Sequence, residues 1–516
     1  MRLEVLLTSL NGIELASRCD GSAELVSCVD DHRAARAGSL FVALKGARMD
    51  GHDWAAAALG QGATGVLLDR TDVAGSLAAA FPDRAVLLAR NTRELAGPAA
   101  AAISGYPGRS LRSAGVTGTN GKTTTAFLLE SVFQVADLAP ALVGTVGTRW
   151  PGHAAESAQT TPGAAALQGL LASAVKAGAR SLSIEISSHA IDQWRADGLD
   201  LDCAVFTNLT RDHLDYHGGM DRYFAAKAAM FTRLLVQSVK RPRTAVINLD
   251  DPYGRRLAGM VPAEVERVLL YSCEAGTGAQ VWAESYELSA SGIRASVITP
   301  AGKLELRSRL LGAYNLSNLL GALAAGIGMD IPPETVIRGL ELAPPPPGRL
   351  ERVDGGAGFE VLVDYAHTPD ALEKVLVTLR PLAGGRLITV FGCGGDRDAT
   401  KRPEMAAAAA RYSDLVVLTS DNPRTEDPER ILDACEAGFA AENFPAASGG
   451  MTRGYVRIAD RQAAIGEAVR RARPGDIVLI AGKGHETCQI IGTEKRPFDD
   501  RLEAALALRS KREGRS

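Results

Sequence analysis

The segment Gly118-Thr-Asn-Gly-Lys-Thr123 constrains this chain more than any other. It follows an apolar run, Ser113-Ala-Gly-Val116, and leads into a helical pattern from Lys122 to Phe133. A strand that ends in a glycine-rich loop and opens a helix aims backbone N–H groups and the positive end of the helix dipole at one point. Such a point suits a phosphate. Lys122 adds a full positive charge, and the Thr123 hydroxyl stands where a phosphate-bound Mg²⁺ would be met. The spacing departs from the usual G-x-x-x-x-G-K-[ST], because position 116 is Val. A fold able to present this loop alternates strands with helices.

The rest of the chain keeps that alternation. Apolar runs at 141–146, 182–186, 203–207 and 244–248 read as strands of a largely parallel sheet, and runs at 360–363, 387–391, 415–419 and 477–480 repeat the pattern. Before them, 39–44 and 65–69 read as buried strands with 54–59 as a helix between. Tyr106-Pro107-Gly108 is turn chemistry, and the Pro-rich run 343–348 fits neither helix interior nor central strand. With 516 residues, about three domains are expected. The predicted fold is α/β with three domains: a smaller N-terminal α/β domain over 1–106, a central P-loop ATPase-like parallel sheet over 107–342, and a C-terminal Rossmann-like domain over 343–516.

Composition narrows the function classes. Hydrophobic residues make up 46% and charged residues 23%, which excludes a disordered chain. A formal net charge of −3 gives no bulk field for nucleic acid or anionic lipid, so neither partner is expected. No apolar run approaches the roughly 18–20 residues of a membrane span, and the N-terminus lacks a secretory leader pattern. The 7 cysteines form no CxxC pair, which predicts buried reduced thiols, Cys203 and Cys273 among them, and a cytoplasmic location. The 54 glycines exceed the usual share, and a subset at 115–121, 392–395 and 482–484 is read as backbone that a phosphate or amino acid approaches.

Polar residues gather at the strand ends. Glu185 closes one strand, and His213 lies in the run 207–217 after another. A carboxylate, an imidazole and the Thr123 hydroxyl suit a Mg²⁺ or Mn²⁺ shell beside a triphosphate. In the C-terminal part, 364–367, 392–397, 421–424 and 482–486 each follow a strand, which predicts one binding crevice at the carboxyl ends of the strands.

Together these motifs resemble the Mur ligase family of ATP-dependent amide ligases. The resemblance rests on the phosphate loop, the run 207–217, Tyr314-Asn-Leu-Ser-Asn318, Pro347-Gly-Arg-Leu-Glu351, Asp364-Tyr-Ala-His-Thr-Pro369 and Gly482-Lys-Gly-His-Glu486. It covers nearly the whole chain and is weakest in the first hundred residues and over about 255–305.

The resemblance implies ATP and Mg²⁺ as cofactors, and an amide formed on the D-glutamate γ-carboxylate of UDP-N-acetylmuramoyl-L-alanyl-D-glutamate through an acyl phosphate, in peptidoglycan synthesis. Within the family it is nearest to members whose amine is meso-2,6-diaminopimelate. It implies ATP binding by Gly118, Thr119, Asn120, Gly121, Lys122, Thr123, Thr124, Asn315, Arg349, Asp364 and His367. Lys122, Glu185, His213 and Lys227 take the catalytic roles, and Thr123, Glu185, His213 and a carbamoylated Lys227 the metal. The UDP substrate falls to His32, Thr160, Thr161, Ser188, Gln193 and Arg195, with His32 replacing a family Ser. Diaminopimelate falls to Arg397, Asp421, Asn422, Pro423, Arg424, Gly482 and Glu486. Arg424 would pair with the distal carboxylate that lysine lacks, and a lysine substrate would leave it buried without an anion. A monomer is expected. The rival readings are a lysine-adding relative, a ligase like folylpolyglutamate synthetase, and a protein that uses the loop as a nucleotide switch.

Overall fold

A computed structural model describes residues 1–46, 49–289, 291–353, 355, 358–447 and 452–514. They form two compact units: 1–286 with 295–306 and 316–343, and 287–294 with 307–315 and 344–516.

The first unit contains two sheets. The N-terminal one has the order β1-β5-β4-β3-β2, from strands Ile13–Leu15 (β1), Ser27–Val29 (β2), Ser39–Val42 (β3), Gly65–Leu68 (β4) and Ala85–Ala89 (β5). Strands β2 to β5 run parallel and β1 antiparallel to β5. The second sheet is built on Arg112–Thr117 (β6), Pro140–Gly144 (β7), Gly147–Trp150 (β8), His153–Ala155 (β9), Ser181–Glu185 (β10), Cys203–Phe206 (β11), Thr244–Asn248 (β12) and Arg267–Ser272 (β13). Its order runs β13-β12-β11-β6-β10-β7-β8-β9. The six strands from β13 to β7 are parallel, and β8 and β9 fold back antiparallel. β10, β11 and β12 are buried along their whole length, as expected of a parallel sheet covered on both faces. Phe206, Phe224 and Phe231 pack with the strand Val, Ile and Leu side chains into one core.

The run read as a strand over 141–146 ends two residues early. β7 stops at Gly144, which pairs with Gly147 across a tight turn into β8. The turn takes Thr145 out of the ladder and gives its N–H to a side chain, Glu185 Oε1, at 2.8 Å.

The second unit is a parallel sheet too. Glu360–Asp364, Ile477–Ala481, Leu387–Phe391, Leu415–Leu418 and Gly454–Arg457 lie side by side in that order, with Glu351–Arg352 antiparallel at the edge. Its helices fall on two sides, giving two apolar clusters, one around Leu376, Phe391 and Phe439 and one around Ile388, Ile465 and Ile480. Among the described residues no helix is long and apolar enough to cross a membrane. All seven cysteines are free thiols, but only Cys203, Cys393 and Cys435 are buried. Cys273 sits just past the end of β13 and is half-buried, so the expectation of a uniformly buried set fails there and at Cys19, Cys28 and Cys488.

Candidate functional site

The phosphate loop is held by its neighbour strand. After β6, Gly118 and Gly121 adopt φ of 152° and 86°, which favours glycine. Side chains there would also collide: a Cβ on Gly118 would lie 1.9 Å from Thr207 Oγ1, and one on Gly121 2.4 Å from Asn318 Oδ1. At Gly395 the pattern recurs, with a Cβ placed 1.9 Å from the Pro423 carbonyl. The glycines read as openings for ligand are therefore also, and measurably, sites where one loop packs against another. The segment after β11 clamps the loop: Thr119 N–H donates to Asn208 O (2.9 Å), Asn120 N–H to Asn208 Oδ1 (3.0 Å), and Thr207 Oγ1 to Asn120 O (2.6 Å). Lys122 opens the helix and donates to the Gly118 and Thr119 carbonyls, both at 2.9 Å. Thr124 is buried on the first turn.

Glu185, 1% exposed at the end of β10, faces Thr123. Thr123 Oγ1 donates to its Oε2 at 3.0 Å, and Thr145 holds both oxygens, Oε1 through its N–H (2.8 Å) and Oε2 through its hydroxyl (3.0 Å). Thr145 in turn meets the Thr160 hydroxyl at 3.0 Å, and Thr161 Oγ1 donates to the Glu185 carbonyl at 2.9 Å. Two residues expected on different ligands thus share one hydrogen-bonded patch. Thr145 had no signal in the sequence beyond lying near a strand end.

Lys227 is 1% exposed. Its Nζ donates to Gly118 O at 2.7 Å and stands 4.8 Å over the Tyr223 ring. Burial, reinforced by the Lys122 charge, pushes its pKa well below the ordinary lysine value, against a weaker pull from Asp212. A neutral amine is a nucleophile. His213 has a left-handed φ of 51° and lies edge-on to His189 at 4.9 Å. Burial and the charges of Lys122 and Lys227 lower its pKa, against the pull of Asp212. Among the described residues no three His, Cys, Asp or Glu side chains converge as a ready metal cluster. The Glu185 carboxylate and Thr123 hydroxyl nevertheless form a hard oxygen pair, the donor type Mg²⁺ takes.

The remaining substrate-side residues join up. Arg195 donates to Gln159 Oε1 (2.7 Å) and Thr161 O (3.3 Å), and its fork grips Gln193 Oε1 (2.6 and 3.1 Å). Ser188, buried, shares a 3.0 Å hydrogen bond with His217 Nε2. His32 is not part of this patch: its ring stacks on Trp54 at 4.3 Å.

In the second unit, Asp364 is buried and accepts the Leu350 and Ala366 N–H groups, both at 2.8 Å. Burial raises its pKa, and the Arg349 charge opposes that. Arg349 lies 4.9 Å over the Tyr365 ring, His367 bonds the Tyr365 carbonyl at 2.8 Å, and Asn315 donates to Leu311 O at 2.8 Å. Two of the strand-end clusters, 421–424 and 482–486, meet at Asn422 and Glu486. Asn422 Nδ2 donates to Glu486 Oε2 at 2.9 Å, and Gly482, at φ 118°, backs onto Asp421. Arg424, after Pro423, takes φ 51° and donates to Gly395 O at 2.8 Å. It is half-buried, with its NH1 packed against Gly394. Arg397 is exposed on the same loop. Sequence reading missed Lys483, which is 0% exposed and bonds Asn422 and Glu486.

Comparison with known proteins agrees with this layout. Residues 116–326 match the Mur ligase middle domain, and residues 348–484 match the Mur ligase glutamate ligase domain. The chain is 44% identical to UDP-N-acetylmuramoyl-L-alanyl-D-glutamate–2,6-diaminopimelate ligase of Geobacter metallireducens, over 99% of this chain and 98% of the relative. It is 47% identical to the Synechococcus elongatus protein of that name, over 93% of each. A solved structure of a ligase of the same name covers 99% of both chains at 32% identity and a TM-score of 0.71. A phosphate loop with its strand-end carboxylate, on this architecture, defines an ATP-dependent ligase that forms amide bonds. The chain belongs to the Mur ligase family.

Proposed function

We propose that this chain joins meso-2,6-diaminopimelate to the D-glutamate γ-carboxylate of UDP-N-acetylmuramoyl-L-alanyl-D-glutamate, with ATP converted to ADP and phosphate. The γ-carboxylate oxygen attacks the γ-phosphorus of ATP, the bond to ADP breaks, and an acyl phosphate forms. The substrate amine then attacks the acyl carbon, phosphate leaves, and the amine sheds a proton. Negative charge builds at phosphate in both steps, so cations and backbone donors supply most of the stabilisation. Lys122 and the N–H groups at the start of the helix it opens would supply that stabilisation.

Thr123 and Glu185, with His213, would hold Mg²⁺, which when bound neutralises charge on the phosphates. The depressed pKa of Lys227 supports its carbamoylation, since only the neutral amine attacks CO₂, and the product is a carboxylate in place of a cation. His32, Thr160, Thr161, Ser188, Gln193 and Arg195 are assigned to the UDP substrate. Asn315, Arg349, Asp364 and His367 are assigned to the nucleotide, and Arg397, Asp421, Asn422, Pro423, Arg424, Gly482 and Glu486 to diaminopimelate. The reading also carries domain limits at 106 and 342, a cytoplasmic location and a monomer.

The observation that carries the amino-acid assignment is that Arg424 follows closely on Asn422, whose side chain bonds Glu486: a cation and a carboxylate on these two segments match a substrate with a distal carboxylate and an ammonium. Phosphate release with the UDP-linked dipeptide and each amino acid tests it. Diaminopimelate should support turnover at least about 100-fold better than L-lysine by kcat/KM, the effect of losing a charge-assisted bidentate pair. Equal or faster turnover with lysine refutes the substrate, and ATP hydrolysis indifferent to both would favour the switch reading.

A further inference from the structure

Lys483 is buried completely between the side chains assigned to diaminopimelate, and the reaction as derived above gives it no task. It follows the strand Ile477–Ala481 in Gly482-Lys-Gly484. Its Nζ donates to Asn422 Oδ1 at 3.1 Å and to Glu486 Oε2 at 2.9 Å, and faces Asp421 Oδ1 at 3.7 Å. That Asp421 oxygen is buried with no hydrogen-bond partner. Asn422 is thereby fixed in one orientation: its Oδ1 accepts from Lys483 and from Ile490 N–H (2.9 Å), so its Nδ2 must point at Glu486 Oε2 (2.9 Å). Both donors reach Glu486 at Oε2, and neither engages Oε1.

We infer that Lys483 is the positioning residue of the amino-acid crevice, holding Glu486 ionised and aimed so that its free oxygen receives the substrate ammonium. The inference rests on the amino-acid site proposed above. Burial by itself would push the Glu486 carboxyl up, but the Lys483 charge and the hydrogen bonds from Lys483 and Asn422 outweigh it and hold it below its ordinary range. The other groups facing this carboxylate are His485 on its own loop, Asp421 and Arg461 beneath it, and Tyr365 from the neighbouring strand end. Arg461 is bound bidentately by the buried Asp500 at 2.7 and 2.8 Å, so its charge is already matched. Lys483 is the cation in direct hydrogen-bond contact with Glu486.

The sign follows. Without Lys483, burial weighs more heavily, the Glu486 carboxyl rises, and it takes up a proton at a higher pH than in the wild type. Ammonium binding is then lost on the acid side. In full-length enzyme with ATP, Mg²⁺ and the UDP-linked dipeptide, Lys483→Met should raise KM for meso-diaminopimelate about 10- to 100-fold. KM for ATP should stay at the wild-type value. The KM for diaminopimelate should climb further as pH is lowered, more steeply than that of the wild type. Lys483→Arg, which keeps the charge, should recover most of the loss. A wild-type KM in Lys483→Met, an equal rise in KM for ATP, or a rise independent of pH overturns the inference. Should Lys483→Met fail to fold, Lys483→Gln, which keeps a donor without the charge, carries the same comparison. Glu486→Gln is run beside it. If Glu486→Gln leaves KM for diaminopimelate unchanged, the amino-acid site itself is wrong; if it raises KM and Lys483→Met does not, only the role of Lys483 falls.

Discussion

Two lysines are buried to the same degree, one in each unit, and their surroundings make them chemical opposites. Lys227 in the first unit touches a carbonyl and a tyrosine ring, with another lysine nearby. Lys483 in the second touches an amide oxygen and one carboxylate, with a second carboxylate close by. The first environment disfavours an ammonium and prepares an amine; the second needs an ammonium to hold two acids together. Burial alone therefore predicts nothing about what a lysine does. The neighbours decide.

The sharpest way to break this contrast is to remove each charge. Lys227→Met should cut ligase activity by about 10³-fold or more, as expected when a group that organises transition-state charge is lost. Its folding stability should fall less than that of the second variant, because burial already disfavours the Lys227 ammonium and its loss leaves no carboxylate without a cation. Added acetate should restore part of the activity if a carboxylate is what the site lacks. Activity near wild type would exclude the carbamate role. Lys483→Met, the second variant, should lower stability more. A buried carboxylate and a partly exposed one lose a nearby cation, and urea unfolding should show a loss of about 1–3 kcal/mol, discounted because the Glu486 side chain is a third exposed. Equal stability losses in the two variants would end the comparison. The smallest effect belongs to Thr145→Val, which keeps shape but removes one of three donors on Glu185; kcat should fall about 10-fold with the protein as stable as before.

Much of the architecture was legible in the chain. Apolar runs closed by Gly or polar residues mark buried parallel strands, and the ranges 244–248 and 387–391 coincide with the observed ones. The phosphate loop declared itself by order alone. The β7–β8 turn was hidden, because Thr145 and Val146 continue a strand-like pattern and only the Glu185 carboxylate, forty residues away, pulls Thr145 out of the ladder. The stacking of the His32 ring on Trp54 was likewise not legible, because the two residues lie twenty-two apart in the sequence. Lys483 read as one more residue of a glycine-rich motif, since nothing local distinguishes a lysine that points into a crevice from one in water.

By itself the sequence determined the α/β class, the phosphate loop, the family and the residue types at each strand end, because these depend on local periodicity and short-range spacing. Only the tertiary structure decided which of those residues meet. It joined Thr123, Thr145 and Thr160 around Glu185, set Lys227 against Gly118, and enclosed Lys483 between Asp421, Asn422 and Glu486. The reason is physical: protonation and orientation follow from burial and from charges within a few ångströms, and in a parallel sheet those neighbours come from strands far apart along the chain.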